Sequence, residues 1–286
     1  MSITFVLKET FRTIKLNKLN FFFSATVQAL CLLLLLIFVT ITLNLTSVVK
    51  EVHNRIEIYA FLDEKSSYQK VADKVFLIAG IKEVRYVSQD EALEELKDDL
   101  GEDASLLKGI DKNPLPNSLR IKLEQDFQSS FKIREVEKKI SAIPGIKEVW
   151  SGREVLEKLE RLLRIAFFSN FLLLAIVGLA VIFIIFQNIE STIFHRRREI
   201  EIMRLVGATD YLVNAPFYGQ GFLQGILGGL IAFLILSLLA YLASFALPKF
   251  LFPHFYLFLF AITLGSILGI FGSYAALARI KERKNN

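Results

Sequence analysis

The residues that most often perform chemistry in proteins are few and scattered in this chain of 286 residues. Its three histidines, His53, His195 and His254, lie far apart, and none has a partner at the spacing of zinc ligands. The single cysteine, Cys31, lies within an apolar run and has no second cysteine with which to form an intrachain disulfide. These residues therefore predict no metal site and no disulfide.

The motifs of common enzyme classes are also absent from the sequence. No Gly-Lys dipeptide occurs, which excludes a P-loop for ATP, and neither H-E-x-x-H nor G-x-S-x-G is present. The acidic pairs Asp98-Asp99 and Glu102-Asp103 fall at a charged helix end, where solvation is their expected role. With no nucleophile beside a base, the sequence predicts a protein that is not an enzyme and needs no cofactor.

Hydrophobic and charged residues, at 53% and 22% of the chain, are segregated along it. Four stretches contain no Asp, Glu, Lys or Arg: residues 19–49, 165–189, 211–248 and 250–278. Because a bilayer-spanning helix needs about 20 apolar residues, each stretch is long enough to cross a membrane. The pattern predicts an α-helical polytopic membrane protein with four transmembrane helices and excludes a soluble globular protein.

Basic residues beside these stretches predict the orientation of the chain. Four lie in the N-terminal tail, four in the loop at 196–204 and four in the C-terminal tail, whereas the loop between spans three and four has only Lys249. The positive-inside rule then places both termini in the cytosol and residues 44–164 outside. The outer segment is slightly acidic, so the basic excess is not the footprint of a nucleic-acid-binding domain.

The predicted organisation follows from these boundaries. In chain order it comprises a cytosolic amphipathic segment (1–20), a transmembrane helix (21–43), an extracytoplasmic domain (44–164), a second span (165–189), a cytosolic helix and elbow (190–221), a third span (222–247), a short outer loop (248–254), a fourth span (255–278) and a cytosolic tail (279–286). In the first segment, Ile3, Leu7, Phe11 and Ile14 recur at helical spacing, which favours a helix lying in the membrane interface. A plain positively charged anchor is the alternative.

The outer domain contains an internal repeat. Residues 56–62 alternate like a strand, a helical stretch from Ser66 to Ala79 stops at Gly80 as its C-cap, and 81–87 alternate again. The second copy has strand 118–123, helix 128–143 and strand 146–150, and both copies contain Gly-Ile-Lys-Glu-Val. Two β-α-β units predict an α+β sheet of the split βαβ, ferredoxin-like type, with both helices on one side.

An insertion at 89–115 separates the two copies. Ser88 and Glu91 form a capping box that starts a helix, and Asn113-Pro114-Leu115-Pro116 ends the insertion. Leucines and one isoleucine give it an apolar side: Leu93, Leu96, Leu100, Leu106, Leu107 and Ile110. This helical lobe is either a docking surface for another protein, or its leucines pack against the sheet.

Two patterns concern the membrane helices themselves. Ser151 and Glu154 form a second capping box, which predicts one continuous helix from the outer domain into span two. Small residues recur at four-residue spacing in spans three and four, a pattern that lets helices approach closely; the glycines are Gly221, Gly225, Gly229, Gly265 and Gly269. The sequence favours packing within the chain, with packing across a dimer as the alternative.

The inner loop at 195–209 predicts a short, highly charged helix that ends at Gly207. Ile200, Met203 and Val206 are expected to form one apolar stripe with a charged rim, which suits a groove in a cytosolic partner. Membrane anchoring by the basic residues alone is the alternative.

This loop also carries a resemblance to a known family. Arg-Arg-Arg-Glu-Ile-Glu-Ile-Met-Arg-Leu-Val-Gly-Ala-Thr at 196–209 resembles the signature of the FtsX family of bacterial cell-division proteins, which are mechanotransmission-type ABC membrane proteins. Tyr-Val-Ser-Gln-Asp-Glu-Ala-Leu at 86–93 and Asn-Pro-Leu-Pro-Asn-Ser at 113–118 are similar to motifs of that family, and the similarity covers nearly the whole chain.

The resemblance implies a membrane subunit that transmits the ATP-driven motion of the cytosolic ATPase FtsE, without transport, to a peptidoglycan hydrolase or its adaptor outside the cell membrane at the division site. Two copies of each subunit would assemble. The ATPase would contact Glu199, Ile200, Glu201, Ile202, Met203, Arg204, Leu205, Val206 and Gly207. The outer partner would contact the lobe and also Phe127 and Phe131. The alternatives are an exporter permease of the lipoprotein-release or macrolide type and a receptor or scaffold without an ATPase.

Overall fold

The computed structural model describes residues 3–63, 67–100, 113–246 and 251–285. Its helices are α1 (Ile3–Leu16), α2 (Lys18–Arg55), α3 (Tyr68–Phe76), α4 (Gln89–Leu100), α5 (Ser130–Ser141), α6 (Arg153–His195), α7 (Arg197–Leu205), α8 (Asp210–Ala246) and α9 (His254–Asn285). Its strands are β1 (Glu57–Leu62), β2 (Ile81–Val87), β3 (Ser118–Leu123) and β4 (Ile146–Trp150). The chain divides into two compact units, Leu45–Arg164 and the remainder.

Four helices of the described chain are long and apolar enough to cross a membrane, namely α2, α6, α8 and α9. This confirms the four-helix prediction. The continuous helix that Ser151 and Glu154 predicted is α6, which begins at Arg153 and continues without a break to His195. The Arg153 backbone N–H donates a hydrogen bond to the Ser151 hydroxyl at 3.3 Å. Part of the predicted outer loop, residues 248–250, lies outside the described residues.

The strands of the smaller unit form one antiparallel sheet in the order β2-β3-β1-β4. β3 lies between β1 and β2, and β1 lies between β3 and β4, which is the arrangement that two split β-α-β units produce. The register pairs Ile58 with Ile121 and Ala60 with Leu119, so the inward residues of the central strands face each other. The predicted ferredoxin-like domain is confirmed.

The repeat has a matching backbone feature in both copies. Gly80 and Gly145, each just before the second strand of its unit, have φ values of +93° and +105°, which favour glycine. The predicted role of Gly80 as a helix cap was wrong in detail, because α3 ends at Phe76. Gly80 instead turns the chain into β2, and its backbone carbonyl accepts a hydrogen bond from the Glu124 N–H.

The core of this unit lies between the sheet and its helices. Alternate residues of β1 and β3 are buried, as are Ile133, Val136 and Ile140 of α5. Val49 of α2 and Leu156 of α6 complete the same cluster. The outer domain therefore includes the adjoining ends of two long helices, because its sheet alone leaves apolar surface uncovered.

In the larger unit, α8 and α9 approach through their glycines. A Cβ added to Gly225 would lie 2.2 Å from the carbonyl oxygen of Gly265, and one added to Gly269 would lie 2.2 Å from that of Gly221. Gly229 faces the backbone of Ala261 in the same way. The two ridges of small residues therefore face each other within one chain, where backbone lies against backbone.

Candidate functional site

The carboxyl end of the short helix α7 is defined by its backbone. The Ala208 N–H donates to the Met203 carbonyl at 2.9 Å and the Gly207 N–H donates to the Arg204 carbonyl at 3.0 Å, the paired hydrogen bonds of a Schellman motif. Gly207 has φ +89°, a conformation that side chains with a Cβ rarely adopt. The predicted end of the helix at this glycine thus has a local physical cause.

The two sides of α7 have different surroundings. Ile200 packs against the hydrophobic core of the larger unit, and Ile200 and Met203 line a cleft with Val213 and Phe217 of α8. Their apolar side chains are therefore used to attach α7 to the bundle.

The exposed side carries a different apolar group. Ile202, Leu205 and Val206 are 61%, 83% and 84% exposed, and we call these three residues the inner ridge. The structure corrects the predicted stripe, because Val206 belongs with Ile202 and Leu205 while Ile200 and Met203 face inward. Glu201 is also exposed, whereas Glu199 and Arg204 are half-buried.

Arg196 occupies the corner between α6 and α7. It is 7% exposed, and its guanidinium donates hydrogen bonds to carboxylate oxygens of Glu9 and Glu199 and to the hydroxyl of Thr13. Its Nε and Nη2 lie 3.0 and 2.7 Å from Oε2 of Glu199. Arg12 adds weaker contacts, 3.7 Å to each of the two glutamates. We call these residues the Arg196 cluster.

The electrostatics of the cluster favour the charged forms. Burial lowers the pKa of Arg196, but the hydrogen bonds and charges of Glu9 and Glu199 outweigh it and raise that pKa above its ordinary value. The hydrogen bond from Arg196 lowers the pKa of Glu199, against the opposing effect of partial burial. The sequence analysis missed this cluster, because it used Arg196 only as one of the basic residues that predict the orientation of the chain in the membrane. The available signal was the Arg-x-x-Glu spacing of Arg196 and Glu199, which suits a pair on one helix face.

The helix α1 has an inverted amphipathic arrangement. Its polar residues Glu9, Thr10 and Thr13 are buried, while Leu7 and Phe11 are more than half exposed. Thr10 lies against Gly219 of α8, and its hydroxyl oxygen is 3.4 Å from the carbonyl of Pro216. The exposed side of α1 therefore combines Leu7 and Phe11 with the basic residues Lys8, Arg12 and Lys15.

The helix α4 is held on the outer sheet by charge. Glu91 pairs with Arg85, and Glu95 pairs with Arg120. The three leucines of this helix, Leu93, Leu96 and Leu100, are half-buried. By the helical period they lie on the side of α4 opposite to the two glutamates.

The two motifs of the outer domain contact each other at the start of α4. The Gln89 N–H donates to Oδ1 of Asn117 at 3.0 Å, and Nδ2 of Asn113 donates to the Gln89 carbonyl at 2.7 Å. The Glu91 N–H donates to the Ser88 hydroxyl at 3.2 Å, which is the cap that the sequence predicted. The asparagines of the second motif therefore fix the first turn of the helix that the first motif begins.

The remaining residues assigned to the outer partner differ in their surroundings. Phe131 is 69% exposed, whereas the ring of Phe127 packs over Gly80 and against the core of the domain. Leu106, Leu107 and Ile110 lie outside the described residues.

Buried amides between α2, α6 and α8 are a second feature that sequence reasoning did not identify. Nδ2 of Asn188 donates to Oε1 of Gln224 at 2.6 Å, and Nε2 of Gln220 donates to the hydroxyl of Thr192 at 3.3 Å. Gln28 is fully buried, and both polar atoms of its amide lack a partner in the part of the chain that the structure describes. The signal was a set of amides in apolar runs, which a search for charged residues passes over.

No group of three or more histidine, cysteine or acidic side chains that could hold a metal ion occurs within the described ranges. His53 contacts Oε1 of Glu160 at 3.2 Å, and Nδ1 of His195 lies 2.7 Å from the Ser191 carbonyl. The first contact joins α2 to α6 in the smaller unit and the second lies within α6, so both suit structural roles.

These features define a multi-pass membrane protein with a small α+β domain between its first two spans. The family model of the FtsX extracellular domain matches residues 55–163, and that of the FtsX-like permease C-terminal domain matches residues 171–284. The chain belongs to the FtsX family of cell-division proteins.

Similar proteins include the cell division protein FtsX of Bacillus subtilis (strain 168), which is 29% identical over 96% of both chains. The cell division protein FtsX of Bacillus anthracis is 27% identical over 79% of this chain and 76% of the relative. The solution structure of the large extracellular loop of FtsX in Streptococcus pneumoniae covers 34% of this chain and 100% of that one, at 20% identity and a TM-score of 0.28.

Proposed function

We propose that this protein is the membrane subunit of a cell-division complex in which a cytosolic ABC ATPase, FtsE, drives a conformational change that reaches a peptidoglycan hydrolase or its adaptor outside the cell. The protein itself performs no catalysis and moves no substrate. Both termini and α7 lie in the cytosol, the Leu45–Arg164 unit lies outside, and two copies assemble with two ATPases at the septum. Family membership and the inner ridge support this proposal.

The inner ridge carries the proposal. Its three apolar side chains are exposed on a helix that is amphipathic and is attached to the bundle by its opposite side. An apolar ridge with a charged rim suits a hydrophobic groove on a partner. Because Ile200 and Met203 attach this helix to α8, a displacement of α7 by the ATPase would move the inner end of the bundle.

The route outward is the continuous helix α6. It begins in the outer unit at Arg153, which forms a salt bridge to Glu137 of α5, and it ends at His195 beside α7. A helix without proline or an interruption transmits displacement along its axis better than a flexible linker does. The leucine side of α4 is the proposed contact for the hydrolase or adaptor.

The inner contact can be tested with Leu205→Ser and Val206→Ser combined in the full chain. Both side chains are exposed, so we expect the variant to fold but to lose co-purification of the ATPase in mild detergent. Phe194→Ser, at an apolar residue outside α7 that is 72% exposed, is the control. Retention of the ATPase by the double variant would contradict the coupling role.

The outer contact can be tested with Leu93→Ser and Leu96→Ser in the full chain. We expect hydrolase activation to be lost while ATPase co-purification and protein stability are retained. Leu77→Ser is the control, since Leu77 is 84% exposed on a different helix end of the same unit. ATP-dependent movement of a substrate in proteoliposomes would instead favour an exporter.

A further inference from the structure

We propose that α1 holds α7 in position, and that Arg196 is the residue that attaches α1 to the start of α7. This inference rests on the proposed function, because the helix being positioned is the one assigned to the ATPase. It goes further in assigning a role to the N-terminal helix and to one of three consecutive arginines. The observation is the Arg196 cluster, which joins residues 187 positions apart in sequence.

Arg196 contacts both helices at once. One side of its guanidinium reaches Glu9 and Thr13 of α1, and the other reaches Glu199 in the first turn of α7. Its backbone carbonyl also accepts the Ile200 N–H at 3.0 Å, a hydrogen bond of the first turn of α7. The same residue therefore starts α7 and fixes α1 beside it.

The partners of Arg196 are specific to its position. Arg197 and Arg198 carry the same charge but are exposed, so neither can replace it within the cluster. The side chain of Glu9 is only 10% exposed, and loss of Arg196 would leave that carboxylate nearly buried beside the weaker contact of Arg12. Removing one partner of a buried ion pair is strongly destabilising.

The attachment of α1 depends on these polar contacts. Leu7 and Phe11 are more than half exposed and Val6 and Ile14 are half-buried, whereas the fully buried residues of α1 are the polar Glu9, Thr10 and Thr13. Polar contacts among the described residues are the cluster, the fit of Thr10 against Gly219, and the hydrogen bond that Nδ2 of Asn17 donates to the Thr192 hydroxyl at 3.2 Å. We therefore expect loss of Arg196 to detach α1 and to free the first turn of α7.

The Thr10–Gly219 contact offers a direct measurement of this attachment. A Cβ added to Gly219 would lie 3.5 Å from the Cβ of Thr10, within the range that disulfides require. In a full chain with Cys31→Ser, the pair Thr10→Cys and Gly219→Cys should close readily with a mild oxidant. The rate of closure then reports how much of the time α1 lies against α8.

We expect Arg196→Gln to slow closure about ten-fold or more, and Arg197→Gln, the matched control, to leave the rate unchanged. Glu9→Gln removes one partner and leaves Arg196 with Glu199, so it should slow closure less; it serves as the second variant if Arg196→Gln fails to fold. Equal closure rates with and without Arg196 would overturn the proposed attachment.

The positioning role has a separate readout. We expect Arg196→Gln to reduce ATPase co-purification, and closure of the disulfide in that variant to restore it, because the covalent bond replaces the attachment. Full retention of the ATPase by the reduced variant, or no recovery after closure, would overturn the positioning role. If the chain with native Arg196 captured no ATPase, the proposed function and the positioning role would both fall, while the closure rates would still decide whether Arg196 attaches α1.

Discussion

The close backbone contact between α8 and α9 should make the protein sensitive to a single added methyl group at Gly225. Gly225→Ala places a Cβ 2.2 Å from the carbonyl oxygen of Gly265 and 3.0 Å from the Cα of Ser266. Both neighbours are backbone atoms, so no rotamer change can relieve the overlap. The two helices must separate, and the close contacts at Gly221 and Gly229 are weakened with them.

The expected magnitude follows from two opposing terms. Overpacking in a close-packed interior costs about 1–3 kcal/mol, and a backbone overlap belongs at the upper end of that range. Alanine is favoured over glycine in a helix by about 1 kcal/mol. We therefore expect Gly225→Ala to lower the free energy of unfolding by about 2 kcal/mol.

The control is Gly178→Ala in α6. A Cβ there meets only the side chain of Leu268, at 3.7 Å, which is an ordinary van der Waals contact. The helix-propensity term then acts alone, and this variant should be unchanged or more stable by up to about 1 kcal/mol. Denaturant titration of the detergent-solubilised chain measures both values. Equal effects of the two substitutions, or a stable Gly225→Ala variant, would refute close backbone packing of α8 on α9.

Three further predictions concern single residues of the larger unit. Gln28→Leu should raise the free energy of unfolding by about 1–2 kcal/mol, because it removes a buried amide without a partner in the described chain and keeps a similar volume; a less stable variant in the same titration would show that the amide is satisfied. Gly207→Ala should destabilise by about 1 kcal/mol through its positive φ alone, since no atom lies within 4 Å of the added Cβ. A gain in stability there would exclude the Schellman ending. Since the pKa of Glu199 is lowered in the folded protein, its contribution is present above the ordinary pKa of a glutamate and is lost as the pH falls through the lowered value. We expect an acid-tolerant protease to cleave α1 faster as the pH falls through that lowered value, and to do so less steeply in Glu199→Gln. Cleavage of α1 at a rate independent of pH, or with the same pH dependence in Glu199→Gln, would contradict this prediction.

The fold was predictable because the sequence patterns that specify its helices and strands each lie within a short stretch of the chain. A run of about 20 or more residues without a charge is long enough, as a helix, to cross a bilayer, so it predicts a membrane helix from local sequence alone. Alternation of apolar and polar residues over six or seven positions predicts the strands in the same way. The duplicated Gly-Ile-Lys-Glu-Val made the sheet topology predictable as well, since two β-α-β units leave few arrangements. The predicted strand at 81–87 and the observed Ile81–Val87 agree to the residue.

The faces of short helices were harder to predict. Periodicity grouped Ile200, Met203 and Val206, yet a nine-residue helix allows more than one apolar side. The position of α8 decided that Ile200 and Met203 face inward and left Leu205 and Val206 exposed. The same limit applies to α4, whose attachment by Glu91 and Glu95 depends on arginines of two different strands.

The sequence by itself determined the membrane helices, the split βαβ domain and the position of α7, because each depends on the order of apolar and polar residues along a short stretch. Only the tertiary structure distinguished Arg196 from Arg197 and Arg198. These residues are chemically identical, and the difference arises because Glu9 and Thr13, far away in the chain, cover one guanidinium and leave the others in solvent. Burial is a property of the elements that pack around a side chain, and no local pattern records it.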